Sequence, residues 1–178
     1  MKILIVEDRK DKRHNIKNVV QEVGGVEVEI AKTYFSAKNK IFLLAKNYDM
    51  IIMDMFLPDA KDDDELKGLA GKDLIFDMLD DDIVIPILVV TQYTEYTNCS
   101  VSEHNNFAEF EKVMENRYYG MTLPEEKKGI YDCTHYEGLH QYLSEEVPMY
   151  LGIVFYSNQF IEWKENILYF IKKVKERI

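Results

Sequence analysis

Residues 48–58 read YDMIIMDMFLP, and this stretch decides the fold. Its first half is a short apolar run between polar residues, which is typical of a strand buried on both faces of a parallel sheet. Asp54 closes that run, so we expect it at the carboxyl edge of the sheet, where open α/β folds place their chemistry. The opening run Lys2–Val6 has the same character and is followed by Glu7 and Asp8. The sequence therefore predicts three carboxylates at one sheet edge.

Strands and helices alternate through most of the chain. Further strands are expected at Val26–Ala31, Ile83–Val90 and Leu151–Tyr156, and helices at Asp11–Val23, Tyr34–Lys46, Lys72–Leu79 and from Phe160 to Val174. This alternation predicts an α/β fold in which helices cover both faces of a parallel sheet. The pattern breaks at about 94–148, which we interpret as an insertion with two helices, Phe107–Tyr118 and Tyr136–Glu145. A chain of 178 residues suits a single domain over 1–178.

Composition excludes several classes of protein. The formal net charge of -10 argues against a nucleic-acid partner, because phosphate backbones are held by clustered Lys and Arg. Cys99 and Cys133 are too few for a disulfide framework and favour reduced thiols in a cytoplasmic protein. No apolar stretch approaches the roughly 20 residues of a membrane span, so no membrane partner is expected.

The acidic cluster has a chemical interpretation. Glu7, Asp8 and Asp54 would repel one another unless a hard cation lay between them. Mg²⁺ suits such a site, because it prefers carboxylate, carbonyl and water oxygens. An Asp beside this metal is able to act as a nucleophile and form an acyl phosphate. Thr91, at the end of the fourth strand, would then lie within reach of a phosphoryl oxygen, so the residues point to phosphoryl transfer onto Asp54.

Three motifs carry a family resemblance. They are KILIVED at Lys2–Asp8, DMFLPD at Asp54–Asp59 and PILVVT at Pro86–Thr91. In this order and spacing they resemble the receiver domain of two-component response regulators, here in an atypical or pseudo-receiver variant. The resemblance implies a flavodoxin-like, doubly wound sheet of five parallel strands in the order 2-1-3-4-5, with a helical insertion between strands 4 and 5.

The resemblance also implies roles for individual residues. Asp54 would be the phosphoacceptor, and Asp8, Asp54 and the main-chain carbonyl of Phe56 would hold Mg²⁺, with Glu7 acting through water. Thr91 would be the switch hydroxyl. A sensor histidine kinase or another phosphodonor and a downstream protein would be the partners in phosphorelay signal transduction. Such a protein is not an enzyme beyond catalysing its own phosphorylation and dephosphorylation.

Three positions depart from the family pattern. Typical receivers end the fifth strand with a Lys that neutralises phosphoryl charge, and the best register puts Ser157 there. The switch aromatic of that strand falls near Val154. Gln92 replaces the small residue that normally follows the Thr, and it would crowd the entrance for a phosphodonor. The sequence offers Lys127 or Lys128 as an alternative source of positive charge, without further support.

Alternatives remain open at this stage. The favoured hypothesis is a stand-alone receiver, modified at Asp54, that acts through protein contacts. A pseudo-receiver that binds a partner through the inserted face, independently of phosphorylation, is the second, and a metal-dependent phosphohydrolase is the third. The acids could also be solvated strand ends, and Thr91 could cap a helix. The acidic run Asp62–Glu65 is interpreted as a solvated loop. Zinc is disfavoured, because the Cys and His residues lack ligand spacing.

Overall fold

The computed structural model describes residues 1–44, 47–59, 66–67, 70–92, 130–131, 150–158 and 161–178. Both helices predicted within the insertion lie outside the described residues. The acidic run Asp62–Glu65, Cys99, Cys133 and the Lys127–Lys128 pair lie outside them as well.

The long strands and the helices alternate from β1 to β6, as the sequence predicts. The strands are β1 (Lys2–Val6), β2 (Glu27–Ala31), β3 (Met50–Met53), β4 (Leu57–Pro58), β5 (Leu66–Lys67), β6 (Ile87–Thr91), β7 (Ile130–Tyr131) and β8 (Tyr150–Phe155). The helices are α1 (Lys10–Gln21), α2 (Tyr34–Leu44), α3 (Ala70–Asp80) and α4 (Glu162–Lys175). None of these helices combines the length and apolar composition that crossing a bilayer requires.

The main sheet confirms the predicted strand order. Five parallel strands lie in the order β2-β1-β3-β6-β8, which is 2-1-3-4-5 when the long strands are counted along the chain. A sixth strand, β7, pairs antiparallel with β8 and was not predicted. It comes from the inserted segment, so the described part of the insertion extends the sheet. The predicted five parallel strands are therefore confirmed, and β7 adds one short antiparallel strand at the edge beside β8.

Alternating side chains divide the core between the two faces of the sheet. On β1, Leu4 and Val6 pack with α2 and α3 on one face, while Ile3 and Ile5 pack with α1 and α4 on the other. All four side chains are fully buried. This two-sided burial explains why β1 is apolar without interruption, since a strand covered on both faces has no polar positions.

Two boundaries follow from local chemistry. β6 begins at Ile87 and not at the predicted Ile83, because Pro86 has no N–H for the ladder. Pro86 contributes only its carbonyl, which accepts a hydrogen bond of 2.8 Å from the Ile51 N–H. At the start of α2, the Ser36 N–H donates to Thr33 Oγ1 at 3.1 Å, so the Thr33 side chain caps the helix.

Candidate functional site

The three predicted carboxylates lie together at the carboxyl edge of the sheet. β1 and β3 are neighbours with Val6 opposite Met53, so Glu7 and Asp54 leave the sheet side by side. The Asp54 N–H donates to the Val6 carbonyl at 2.9 Å, which continues the pairing past the strand ends. Carboxylate oxygens of Glu7, Asp8 and Asp54 lie within 4.8 Å of one another. The sequence thus predicted the position of this cluster correctly.

Burial distinguishes these acids from ordinary surface carboxylates. Glu7 is 1% exposed and Asp54 is 4% exposed, whereas Asp8 is half-buried. The alternative that they are solvated strand ends therefore fails for Glu7 and Asp54. A buried carboxylate needs a counter-charge or hydrogen bonds, since its desolvation is otherwise very unfavourable.

Lys12 supplies a counter-charge that the sequence analysis did not anticipate. Its Nζ donates to Asp54 Oδ2 at 2.6 Å and to the Val90 carbonyl at 2.7 Å. The same Nζ forms an ion pair with Glu7 Oε2 at 2.7 Å, without the geometry of a hydrogen bond. Lys12 is only 1% exposed. One ammonium group therefore bridges β1, β3 and β6 at the centre of the site.

A signal for Lys12 was present in the sequence. Lys12 precedes Ile16 by four positions and Val19 by seven, so it belongs to the buried stripe of α1. A lysine at such a position is usually interpreted as a solvated or snorkelling side chain. Here the buried face of α1 carries Lys12 to two buried acids. Placing this face of α1 next to the acidic cluster would have identified the ion pair from the sequence.

The surroundings of Glu7 raise its pKa. Burial raises its pKa from 4.5 to about 7, against the lowering effect of Lys12, and the neighbouring charge of Asp54 raises it further. Its Oε1 also accepts a hydrogen bond from the Arg9 N–H at 3.0 Å. With both oxygens engaged, Glu7 is poorly placed as a direct metal ligand, which agrees with the water-mediated role implied by the resemblance.

The second oxygen of Asp54 faces the loop that follows β3. Asp54 Oδ1 accepts a hydrogen bond of 3.3 Å from the Phe56 N–H. Lys12 thus contacts Oδ2, while Oδ1 lies toward Phe56, whose carbonyl the resemblance assigns to the metal. Oδ2 of Asp54 therefore lies beside an ammonium group, and Oδ1 lies beside a backbone N–H.

Gly71 supports this loop from α3. The Gly71 N–H donates to the Met55 carbonyl at 2.9 Å. A Cβ added at Gly71 would lie 2.4 Å from the Asp54 carbonyl oxygen and 2.8 Å from the Met55 Cα. Real Cβ atoms do not approach backbone so closely, so only glycine lets α3 pack directly beneath the candidate phosphoacceptor.

We expect Gly71→Ala to destabilise the protein by about 1–3 kcal/mol, because α3 or the Asp54 loop must move to admit the methyl group. Helix propensity alone would give the opposite sign, since Ala exceeds Gly by about 1 kcal/mol in a helix interior. The measurement is urea denaturation followed by the fluorescence of Trp163, the one tryptophan of the chain. Gly24→Ala is the matched control, because a Cβ there meets nothing within 4 Å. Equal stability of Gly71→Ala and the wild type would contradict the close packing.

Thr91 occupies the predicted position at the end of β6. It is 1% exposed and lies directly after Val90, whose carbonyl accepts from Lys12. Its own carbonyl accepts a hydrogen bond of 2.6 Å from the Tyr156 N–H. Thr91 is therefore the last residue of a regular strand. The alternative that it caps a helix concerns the segment after Gln92, which lies outside the described residues.

The rim of the site joins two loops. Arg9 Nη1 donates to Gln92 Oε1, which links the end of β1 to the end of β6. Arg13 Nη1 donates to the carbonyls of Glu7 at 2.9 Å and Asp8 at 2.6 Å. Gln92 is half-buried and is held by Arg9. The expectation that Gln92 crowds the entrance stays a prediction.

The end of β8 differs from the family pattern as the sequence indicates. Ser157 is half-buried and follows Tyr156, which is 5% exposed. The Tyr156 hydroxyl accepts from Asn15 Nδ2 at 2.7 Å and donates to Asn158 Oδ1 at 2.8 Å. Its ring lies under Lys12, with 5.9 Å from Nζ to the ring centroid. Near the position where typical receivers have a lysine, this structure therefore has the aromatic ring of Tyr156.

Two further residues lie outside the acidic cluster. His14 is exposed on α1, where its Nε2 lies 3.1 Å from Asn18 Nδ2. Val154, at the switch-aromatic position, is fully buried in the core beside α4.

Comparison with known proteins places these observations in a family. No family model matches the chain. The chain is 32% identical over 100 residues to the Detocs response regulatory protein DtcB of Enterobacter cloacae (strain JD6301). That match covers 52% of the chain and 66% of the relative, so about a third of the relative's length lies outside it.

A solved structure of a response regulator shares the fold. The response regulator TrrA of Thermotoga maritima, in complex with Mg²⁺-BeF, is 20% identical, and the superposition covers 97% of each chain with a TM-score of 0.50. The N-terminal domain of a response regulator/sensory box/GGDEF protein from Carboxydothermus hydrogenoformans is 28% identical. It covers 60% of this chain and 74% of its own, with a TM-score of 0.44.

Proposed function

We propose that this chain, which is a response-regulator receiver domain, accepts a phosphoryl group on Asp54 and signals the change through contacts with another protein. The donor would be a sensor histidine kinase or another phosphodonor. The protein would act in signalling and not as an enzyme, since its only reaction is its own modification and the loss of that group.

The observation that carries this proposal is the geometry of Asp54. Its carboxylate is buried, closes a central strand and lies beside two other acids whose oxygens are within 4.8 Å. A buried acid cluster is unfavourable for folding unless something compensates it, so its presence at the functional edge of the sheet supports a role in function. The fold relative TrrA, which is described in complex with Mg²⁺-BeF, supports the same interpretation.

The oxygen donors of the site fit Mg²⁺. Asp8, Asp54 Oδ1 and the Phe56 carbonyl would hold the ion, and Glu7 would contribute through water. This set contains the hard oxygen ligands that Mg²⁺ prefers, and Lys12 leaves it free because it contacts Oδ2. When bound, the ion would screen the negative charge of an incoming phosphoryl group.

Transfer would proceed by direct attack of Asp54. A carboxylate oxygen forms a bond to the donor's phosphorus, while the bond from phosphorus to the leaving group breaks and the leaving group keeps the electron pair. The product is an aspartyl phosphate. The Thr91 hydroxyl would then bind a phosphoryl oxygen, as the switch role requires.

We expect Asp54→Asn to abolish phosphorylation, because the amide is not a nucleophile for this reaction. The test is to incubate the protein with Mg²⁺ and a small phosphodonor and to measure the intact mass. Wild type should gain one phosphate adduct that depends on Mg²⁺. Asp11→Asn is the matched control, since Asp11 is an exposed acid of α1, and it should be modified like the wild type. Absence of any adduct on the wild type at saturating Mg²⁺ would refute the proposal.

A phosphorylation-independent pseudo-receiver is the second candidate, and the Lys12 ion pairs favour it. They place one positive charge between Asp54 and Glu7 without a metal and so offset part of the repulsion between these acids. The fold could therefore keep its acids without using them in signalling. This candidate predicts no adduct on the wild type and a partner that binds equally well to wild type and Asp54→Ala. Loss of partner binding in Asp54→Ala would exclude it.

A further inference from the structure

We propose that Lys12 of α1 is the cation that binds the phosphoryl group on Asp54, in place of the lysine that receivers carry at the end of the last strand of the sheet. This inference rests on the proposed function, since it assigns a residue to the modified state of Asp54. It gives a role to a residue that neither the family pattern nor the sequence motifs identify.

The position of the ammonium group is the first support. Lys12 Nζ lies 2.6 Å from Asp54 Oδ2, and the Val90 carbonyl at 2.7 Å fixes it from the side of β6. Glu7 Oε2, at 2.7 Å, approaches from the side of β1. An ammonium held this close to an oxygen of Asp54 remains next to whatever group that carboxylate acquires.

The end of β8 is the second support. Ser157 has a short neutral side chain there, and the Tyr156 ring lies 5.9 Å from Lys12 Nζ. This ring packs against Trp163, with 4.7 Å between the ring centroids, and its hydroxyl is bonded to Asn15 and Asn158. The aromatic ring is thus fixed, and the positive charge reaches the site from α1.

Charge is the third support. Phosphorylation adds roughly -1.5 to -2 at neutral pH to a site that already contains Glu7 and Asp8. Among the residues that the structure describes, Lys12 is the only buried cation. Arg9 and Arg13 are directed elsewhere: Arg9 to Gln92, and Arg13 to the carbonyls of Glu7 and Asp8. Lys12 is therefore the internal group placed to offset the added charge.

The test uses two variants that differ only at Lys12. Glu7→Gln is compared with Glu7→Gln/Lys12→Gln, so that one negative and one positive charge are removed together and the fold is not left with two unpaired buried acids. The probes are Mg²⁺ alone and then Mg²⁺ with beryllofluoride, a phosphoryl mimic, titrated by Trp163 fluorescence. Glu7→Gln/Lys10→Gln is the control, because Lys10 is an exposed lysine of the same helix.

We expect the Lys12 variant to bind Mg²⁺ at least as tightly as Glu7→Gln, because a positive charge beside the metal site is removed, and to bind beryllofluoride about 10- to 100-fold more weakly. This range corresponds to the loss of one hydrogen bond to a charged group. The control should bind both probes as Glu7→Gln does. Circular dichroism establishes that each variant is folded, and the split between the two probes separates phosphoryl binding from a merely structural role.

Each contrary result has a distinct meaning. Equal beryllofluoride affinity with and without Lys12 overturns the inference and leaves the proposed function intact. Tighter Mg²⁺ binding without Lys12, at unchanged beryllofluoride affinity, also overturns it, because Lys12 would then be a substitute for the metal. Failure of the wild type itself to bind beryllofluoride with Mg²⁺ refutes the proposed function and the inference with it.

Discussion

Replacement of Lys12 by Met should lower the free energy of unfolding of the metal-free protein by about 3–5 kcal/mol at pH 8. Met keeps the length of the side chain but removes its charge. Glu7 and Asp54, 1% and 4% exposed, would then remain buried without their shared counter-ion. The large effect follows from removal of one partner, since a buried ion pair that is intact contributes much less.

Urea denaturation in the presence of a chelator measures this loss through the shift in midpoint at constant m-value. Lys10→Met is the matched control, because it removes an exposed lysine from the same turn of α1 and should change stability by less than about 0.5 kcal/mol. The penalty for Lys12→Met should shrink toward pH 6, where Glu7 takes up a proton. A loss below about 1 kcal/mol at pH 8 would mean that the acids are compensated by other groups.

The long strands and the acidic cluster were predictable from sequence for a physical reason. β1 and β3 are buried on both faces, so burial leaves an uninterrupted apolar run that ends where the chain reaches the sheet edge. The residues after those ends, Glu7 and Asp54, then lie close together by sheet geometry alone. No side-chain detail is needed for that inference.

The short strands carry no such signal. β4, β5 and β7 have two residues each, which is too short for any period to appear. β7 is defined by pairing with β8, a contact between distant parts of the chain. The sequence therefore predicted the parallel sheet but not its antiparallel edge.

Lys12 shows the limit of motif reasoning at the site. The family motifs direct attention to strand ends, and the absence of a lysine near Ser157 suggests a site without an internal cation. The structure instead has that cation on α1. Lys12 on the helix and Asp54 at the strand end come together only through tertiary packing. A comparison with the family pattern, one position at a time, therefore did not reveal that Lys12 offsets the charge of Asp54.

Stability should also fall as pH rises through the range in which Glu7 titrates. Its folded pKa, raised by burial to about 7, lies above the ordinary 4.5, so between these values the folded state binds more protons than the unfolded state. The metal-free protein should therefore lose about 3 kcal/mol between pH 4.5 and pH 7 from this group. Glu29 affects stability in a different pH range. The hydrogen bond from Lys40 is the main cause that lowers its pKa to about 2. The stability that Glu29 contributes is therefore lost only as the pH falls below 4.5.

Glu7→Gln isolates the effect, because the amide cannot titrate and the variant should lose most of the decline between pH 5 and pH 7. Glu22→Gln, at an exposed position of the first helix's end, should keep the wild-type slope. Urea denaturation midpoints of the wild type and both variants, measured across this pH range in the presence of a chelator, test the prediction. A slope that survives in Glu7→Gln would assign the proton to another group. A slope lost only in Glu7→Gln would identify the buried acid beside Lys12 as its source, because no exposed carboxylate resists ionisation by desolvation.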